Sequence, residues 1–361
     1  MSDCLIIGGG IIGLLSARLL NEAGLDVQII DKGEPGRESS WAGGGILSPL
    51  YPWRYPDPIN QLAAWSQQRY PALLQSLLDE TGIDPELEPS GMLFLDDGED
   101  YQGWAAKWAV ECQEIEGREE LAGLEPNLAA EYTRGLLLPA VNHVRNPRLL
   151  KAMLASLRKR GVKIQANVAA KKLLIEQNRV VGVATPEGEI RADKVLVAAG
   201  SWSAGLLDEF CGPPPKIQPV KGQMLLYRAE PGVLKHILMH EGHYLIPRRD
   251  GRILVGSSME YTGFDKSTTP QVRDELSTVA TGLIPALAEY PIEKHWAGLR
   301  PGSPEGIPYI GACPDVDGLF VNAGHFRNGV VMGLAAAYLG ADLMLNRDPI
   351  VNPLPYQVGT R

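Results

Sequence analysis

The chain reads as an α/β protein in which a Rossmann-like dinucleotide-binding domain is interleaved with an α+β domain built on an antiparallel sheet. Three observations predict this fold. A strand, glycine turn, helix and second strand ending in an acid open the sequence; two buried-strand patterns return far downstream; and hairpin signals fill the stretch between them.

Leu5-Ile6-Ile7 forms the first strand, and Gly8-Gly9-Gly10-Ile11-Ile12-Gly13 fits G-x-G-x-x-G. In that motif the glycines permit a tight turn, close approach of a pyrophosphate, and packing of helix on strand. The helix from Ile11 to about Asn21 offers free N–H groups and a positive dipole end, and Gly24 stops it. Val27-Gln28-Ile29-Ile30 is the second strand. Asp31 follows it, about 20 residues past the last glycine, where a carboxylate accepts ribose hydroxyls.

Composition points to a soluble intracellular enzyme of two domains. The 361 residues exceed one usual core, and 45% apolar residues can fill two. A net charge of −9 without a long Lys/Arg run excludes a polyanion-binding surface. Cys4, Cys112, Cys211 and Cys313 are scattered with no C-x-x-C pair, which predicts reduced thiols in a cytoplasmic protein. No secretory signal precedes the first strand, and the apolar stretch from Gly329 to Leu345 reads as a buried helix.

The later returns decide between nicotinamide and flavin. A helix-plus-strand unit over about 147–165 precedes the buried strand Asp193–Ala199, and Leu319–Ala323 is another such strand. The latter runs through Gly324-His325-Phe326-Arg327-Asn328-Gly329 into a small-residue helix from Val330. A helix N-terminus placed there suits the electron-rich edge of a reduced flavin, so FAD is expected in a glutathione-reductase-type fold. The glycine-rich turn Ser39-Ser40-Trp41-Ala42-Gly43-Gly44-Gly45-Ile46 would let backbone lie against a flat ring. These returns predict an FAD-binding domain from residues 1–50, 141–215 and 301–361, and a substrate domain from 51–140 and 216–300.

Within the substrate domain, residues 50–140 look mainly helical, with a strand at Gly91–Leu95. Gly222–Arg228, Tyr244–Arg248 and Arg252–Ser258 read as antiparallel strands, the last two joined through Arg249-Asp250-Gly251. Tyr244 and Ile246 should share one face. His236, His240 and His243 could gather as metal ligands only on a helix, which Gly242 breaks; no metal is expected. The aromatic loop Tyr51–Pro56 either covers a pocket or packs between domains.

Arg300 ends a strand at Pro301-Gly302, and Arg327 stands where a cation opposes a helix dipole. Either arginine clamps a carboxylate bidentately or is structural.

Ile7–Gly13, Pro219-Val220-Lys221-Gly222-Gln223, Trp296–Pro301 and Ala323–Gly329 together resemble bacterial glycine oxidases, flavoenzymes of the D-amino-acid oxidase and sarcosine oxidase group. The resemblance implies noncovalent FAD held by Gly8, Gly10, Ile11, Ile12, Gly13, Asp31, Lys32, Ser39, Ser40, Gly44, Gly45, Ile46, Ala169, and the run His325, Phe326, Arg327, Asn328, Gly329, Val330 and Val331. It implies that Arg300 pairs with the substrate carboxylate, that Tyr244 adds a hydrogen bond, and that Arg327 lies beside the substrate. The reaction implied is hydride transfer from glycine, sarcosine or a small D-amino acid to flavin N5. It yields an imine that hydrolyses to glyoxylate and ammonia, with dioxygen leaving as hydrogen peroxide. In the family the glycine imine can instead feed thiamine thiazole synthesis, and the assembly is a homotetramer. Two positions depart from some relatives: Gly242 replaces a histidine and Ile46 a methionine. The alternatives are an amino-acid dehydrogenase that passes electrons to a quinone or carrier, and a sarcosine-oxidase-like enzyme.

Overall fold

A computed structural model describes residues 2–95 and 98–359. It contains two eight-stranded sheets whose strands alternate along the chain.

The first sheet runs Tyr309–Ala312, Leu319–Ala323, Gly188–Val197, Ser2–Ile7, Val27–Ile30, Lys163–Gln165, and Lys172–Glu176 with Arg179–Thr185 forms an antiparallel extension of the 188–197 strand. Its central strands are parallel, and the edge strand Tyr309–Ala312 is antiparallel. Parallel strands are covered on both faces, which is why Leu5, Ile6, Val195, Leu196 and Val197 are all buried. Helix Ile11–Glu22 lies on one face with Asn146–Lys159 and Gly333–Met344, sharing a core through Leu14, Met153 and Ala337.

The second sheet runs Ile292–Gly302, Gln218–Arg228, Arg252–Gly256, His243–Pro247, Ile237–His240, Met92–Leu95, Arg134–Leu138, Gln113–Glu116. Its alternation is period two, as expected of strands. Leu225, Leu245 and Val255 pack with Leu276 and Ala280 of helix Pro270–Leu283, whereas Met224, Tyr244, Ile246 and Leu254 cluster with Ile46 and Leu50 on the other face. Tyr244 and Ile246 thus share the face that looks toward the first sheet.

Several expectations change. The 50–140 stretch holds helices Asp57–Gln67, Tyr70–Thr81, Gln102–Trp108 and Arg118–Leu124, but also strands Gln113–Glu116 and Arg134–Leu138. In the last strand the buried part, Leu136–Leu138, is a continuous apolar run, so it shows no alternation in sequence. The helix expected from Val330 begins at Gly333, and Phe326–Asn328 before it forms a single 3-10 turn. Cys211 and Cys313 are not free thiols: folding brings their Cα atoms to 5.4 Å and they form a disulfide across 102 residues, a separation that carries no spacing signal. Cys4 and Cys112 remain free. His240 and His243 face each other across a hairpin, not along a helix, and His236 pairs with buried Glu125 at 2.8 Å. In the Tyr51–Pro56 loop, Tyr51 and Trp53 pack against Phe94, within the 51–140 stretch and not between the two expected domains. Among the described residues no helix is long and apolar enough to cross a membrane.

Candidate functional site

Between the two sheets lies a cavity of about 450 Å³. Every site residue expected from sequence reaches its wall except Gly13 and Asn328. Gly13 acts in packing: a Cβ there would stand 2.0 Å from the Gly8 carbonyl oxygen, so helix Ile11–Glu22 can approach its strand only without one. Asn328 is buried beneath the wall, and its amide nitrogen has no acceptor among the described residues.

One stretch of the wall is built from the glycine turn. The Asp31 carboxylate accepts from the backbone N–H of Gly9 at 2.7 Å and of Gly33 at 2.9 Å, which locks the turn at the end of the second strand. Ser40 Oγ accepts from Ile11 N–H at 2.9 Å, so a distant segment caps the helix. Lys32 places its ammonium 3.1 Å from the centre of the Trp202 ring, and burial lowers its pKa. Trp202, Gly200 and Leu206 were missed in sequence because they follow the 188–197 strand in a single 3-10 turn, Gly200–Trp202, and a five-residue helix, Ser203–Leu207, too short to show a period.

A second stretch is the run Gly43-Gly44-Gly45. Its carbonyls are all tied away: Gly43 to the Asn146 amide at 3.0 Å, Gly44 to the Arg248 guanidinium at 2.6 Å, Gly45 to Val144 N–H at 2.9 Å. A Cβ on Gly44 would meet Ile246 at 2.6 Å, and one on Gly45 would meet the Val144 carbonyl at 2.1 Å. Arg248 is buried beside His143, whose Nδ1 lies 3.0 Å away. Burial holds the His143 pKa down at about 3, so the neutral ring accepts from the cation.

The third stretch carries the charge. Arg300 comes from the strand Ile292–Gly302, Tyr244 from His243–Pro247, and Arg327 from the turn before the last helix. Among the described residues Arg300 donates to neutral acceptors, among them Ser257 Oγ at 2.5 Å and the carbonyls of Ser258 at 3.2 Å and Lys221 at 3.4 Å. Burial lowers its pKa, Tyr244 lies beside it, and Arg327 adds repulsion. Arg327 has no hydrogen bond or ion pair among the described residues. Two guanidiniums therefore face one cavity with no carboxylate paired to either among the described residues, an arrangement suited to a bound carboxylate. The Tyr244 hydroxyl touches the Met224 sulfur at 3.3 Å. Asp31 and Glu38 are the carboxylates on the wall among the described residues, and both are engaged, Asp31 with the turn and Glu38 with Lys266 at 3.0 Å. The wall thus offers anion binding and no free carboxylate base.

The residues fit FAD. Backbone-lined walls at Gly8, Gly10, Gly44 and Gly45 leave room for a flat ring and a pyrophosphate. The His325 ring nitrogen Nε2 is buried with no partner among the described residues, burial holds its pKa down at about 3, and the residue lines the cavity, so a neutral imidazole there is left to meet a polar group of the cofactor. Cys313 is engaged with Cys211 and does not reach the wall, which leaves no thiol there for a thioether.

Comparison with known proteins agrees with this geometry. Residues 3–343 match the FAD dependent oxidoreductase family (DAO). The glycine oxidase of Pseudomonas aeruginosa is 49% identical over 354 residues, covering 97% of each chain. The bifunctional protein ThiO/ThiG of Synechocystis sp. PCC 6803 is 33% identical over 98% of this chain and 53% of its own. The crystal structure of glycine oxidase from Bacillus cereus superposes with a TM-score of 0.90 at 31% identity, covering 100% of this chain and 99% of the other. With its glycine turn, its two-sheet cavity and this match along nearly its whole length, the chain belongs to the FAD dependent oxidoreductase family and is an FAD-dependent enzyme.

Proposed function

We propose that the chain is a glycine oxidase that also takes sarcosine and small D-amino acids. The observation that carries this reading is the pair of guanidiniums, Arg300 and Arg327, facing one cavity with no carboxylate to neutralise them. A small amino acid supplies the missing anion. Arg300 binds its carboxylate bidentately, the Tyr244 hydroxyl adds a third contact, and Arg327 closes the other side. Bound FAD supplies a two-electron acceptor for the α-carbon hydride, which dioxygen regenerates with release of hydrogen peroxide. The protein contributes orientation more than acid–base chemistry. The substrate ammonium loses a proton to solvent on binding, since no free carboxylate lines the wall. The imine product hydrolyses to glyoxylate and ammonia. Gly8, Gly10, Ile11, Asp31, Lys32, Ser40, Gly44, Gly45, Ala169 and His325 through Val331 would hold the cofactor.

The similarity to the glycine oxidase of Pseudomonas aeruginosa supports the substrate, and the similarity to ThiO/ThiG supports delivery of the glycine imine to thiazole synthesis. We assign residues 1–50, 141–215 and 301–361 to the FAD-binding domain and 51–140 and 216–300 to the substrate domain, consistent with which sheet each strand joins. A homotetramer rests on the family resemblance and is read by light scattering; a cytoplasmic location rests on composition alone, since Cys211 and Cys313 are bonded and not reduced thiols. The function is tested by anaerobic titration of the purified holoenzyme with glycine. Loss of flavin absorbance near ~450 nm, then peroxide on admitting air, is the expected result. Bleaching without peroxide would make the enzyme a dehydrogenase, and a spectrum indifferent to glycine would move the substrate elsewhere.

A further inference from the structure

The segment Pro219-Val220-Lys221-Gly222-Gln223 supplies no side chain that donates to a carboxylate in the cavity, yet its residues are arranged around Arg300. Val220 is paired with Arg300 across the sheet, and Gly222 with Gly298. Val220 and Gly222 therefore share the Arg300 face, while Lys221 and Gln223 take the opposite one. On the Arg300 face, a Cβ at Gly222 would fall 2.2 Å from both terminal guanidinium nitrogens. The glycine is thus the floor on which the guanidinium lies.

On the opposite face Lys221 and Gln223 grip the segment 258–269. The buried Lys221 ammonium bonds Glu260 and Asp265, each at 3.0 Å, and Ser267 O at 3.3 Å. Gln223 donates to Glu260 at 3.0 Å and accepts from Thr269 N–H at 3.0 Å, while its own N–H donates to Ser258 Oγ at 2.9 Å. Backbone bonds between Lys221 and Glu260 in both directions, at 2.9 and 3.0 Å, complete the grip. Ser257 and Ser258 lie past the end of the Arg252–Gly256 strand, where strand alternation no longer holds: Ser258 Oγ meets Gln223 N–H and Ser257 Oγ meets Arg300. Ser257 is buried and accepts from Arg300 Nη2 at 2.5 Å.

We infer that Ser257 is a positioning residue for Arg300, held in place by Lys221 and Gln223, and that it sets the affinity of the site for small carboxylates. The inference rests on the reading of Arg300 as the carboxylate clamp. A guanidinium that holds a carboxylate through two parallel bonds needs its plane fixed. Ser257 Oγ, Ser258 O and the Gly222 floor define that plane, and among these the serine hydroxyl is the one contact a side-chain change removes.

The test uses the holoenzyme and acetate, a carboxylate without an amine, whose binding is read from the perturbed absorbance of oxidised flavin without turnover. Ser257→Ala should weaken acetate about five- to twentyfold and raise KM for glycine by a similar factor, with kcat changed less than about twofold and FAD content unchanged. Ser257→Thr, which keeps the hydroxyl, should restore wild-type binding, a result that a purely structural role would not give. Arg300→Ala separates the two levels of the argument. If it binds acetate like the wild type, the clamp reading itself fails; if it loses acetate while Ser257→Ala keeps wild-type affinity, the positioning role alone is overturned. Should Ser257→Ala not fold, Ser257→Cys preserves the volume with a poor acceptor, and wild-type acetate affinity in that variant overturns the inference equally.

Discussion

Replacing Gly222 by alanine adds one methyl group next to the Arg300 guanidinium, and its effect can be worked from distances. The added Cβ would lie 2.2 Å from Nη1, 2.2 Å from Nη2 and 2.4 Å from Cζ. Ordinary contact between such heavy atoms is about 3.5 Å, so the guanidinium must retreat by more than about 1 Å. It is the far end of a flexible side chain, so it can move without breaking the strands, and stability should change little. The retreat does break the bonds to Ser257 Oγ and Ser258 O, and it carries the clamp away from where it must hold a carboxylate. A displacement of about 1 Å in a positioning group costs on the order of 100-fold in rate. Gly222→Ala should therefore lower kcat/KM for glycine by roughly that factor, with FAD bound and Tm nearly unchanged. The assay is peroxide production against glycine concentration, with flavin content measured on the same sample. A variant with wild-type kcat/KM would refute the placement of Arg300 as the group that orients substrate.

Arg300→Ala should lose about 1.5–3 kcal/mol of charge-assisted hydrogen bonding, ten- to a hundredfold in kcat/KM, while FAD is retained. Tyr244→Phe should be milder, about three- to tenfold in kcat/KM, because it removes one neutral hydroxyl. Asp31→Ala frees the N–H groups of Gly9 and Gly33 and should weaken FAD by about tenfold or more, read by fluorescence of released flavin. His143 gives a pH signature. Its folded pKa, about 3, lies below the unfolded value near 6.5, so the unfolded chain takes up the proton first as pH falls. Stability from keeping the ring neutral is present above pH ~6.5 and is lost as pH falls toward 3, with a slope of up to about 1.4 kcal/mol per pH unit. Urea unfolding of His143→Gln between pH 4 and 7 should show a shallower dependence than the wild type, and an equal slope would remove His143 as the cause.

The first strand, the glycine turn, the helix after it and Asp31 were all legible, because each rests on local chemistry: apolar runs, glycine spacing, an acid at a strand end. Tyr244 was legible through strand alternation; Arg300 was singled out at an expected Pro-Gly stop, but its strand continues through Pro301 and Gly302, which stay paired with Pro219 and Gln218. What was hidden depends on contacts between distant segments. The strand Arg134–Leu138 lacks alternation because both faces are covered over Leu136–Leu138, so that stretch resembles a helix core. The Cys211–Cys313 bond joins residues that only the fold brings together. Trp202, which receives the Lys32 ammonium, sits in a single 3-10 turn too short to carry a periodic signal. Ser257 is the sharpest case: a lone serine after a strand is unremarkable until the arginine it faces is seen.

The order of strands in the first sheet has a consequence for how each molecule is made. Ser2–Ile7 sits in the middle of that sheet, but its neighbour Gly188–Val197 is encoded some 190 residues later, and Leu319–Ala323, which flanks that neighbour, later still. At about 5–20 residues per second, the first strand emerges with one side unpaired for roughly 10–40 s. Throughout that interval an apolar strand edge is open to any other chain that can pair with it. Yield in the cell then depends on what shields that edge during the interval, so added chaperone capacity should raise the recovered fraction of native protein without any change in its final stability.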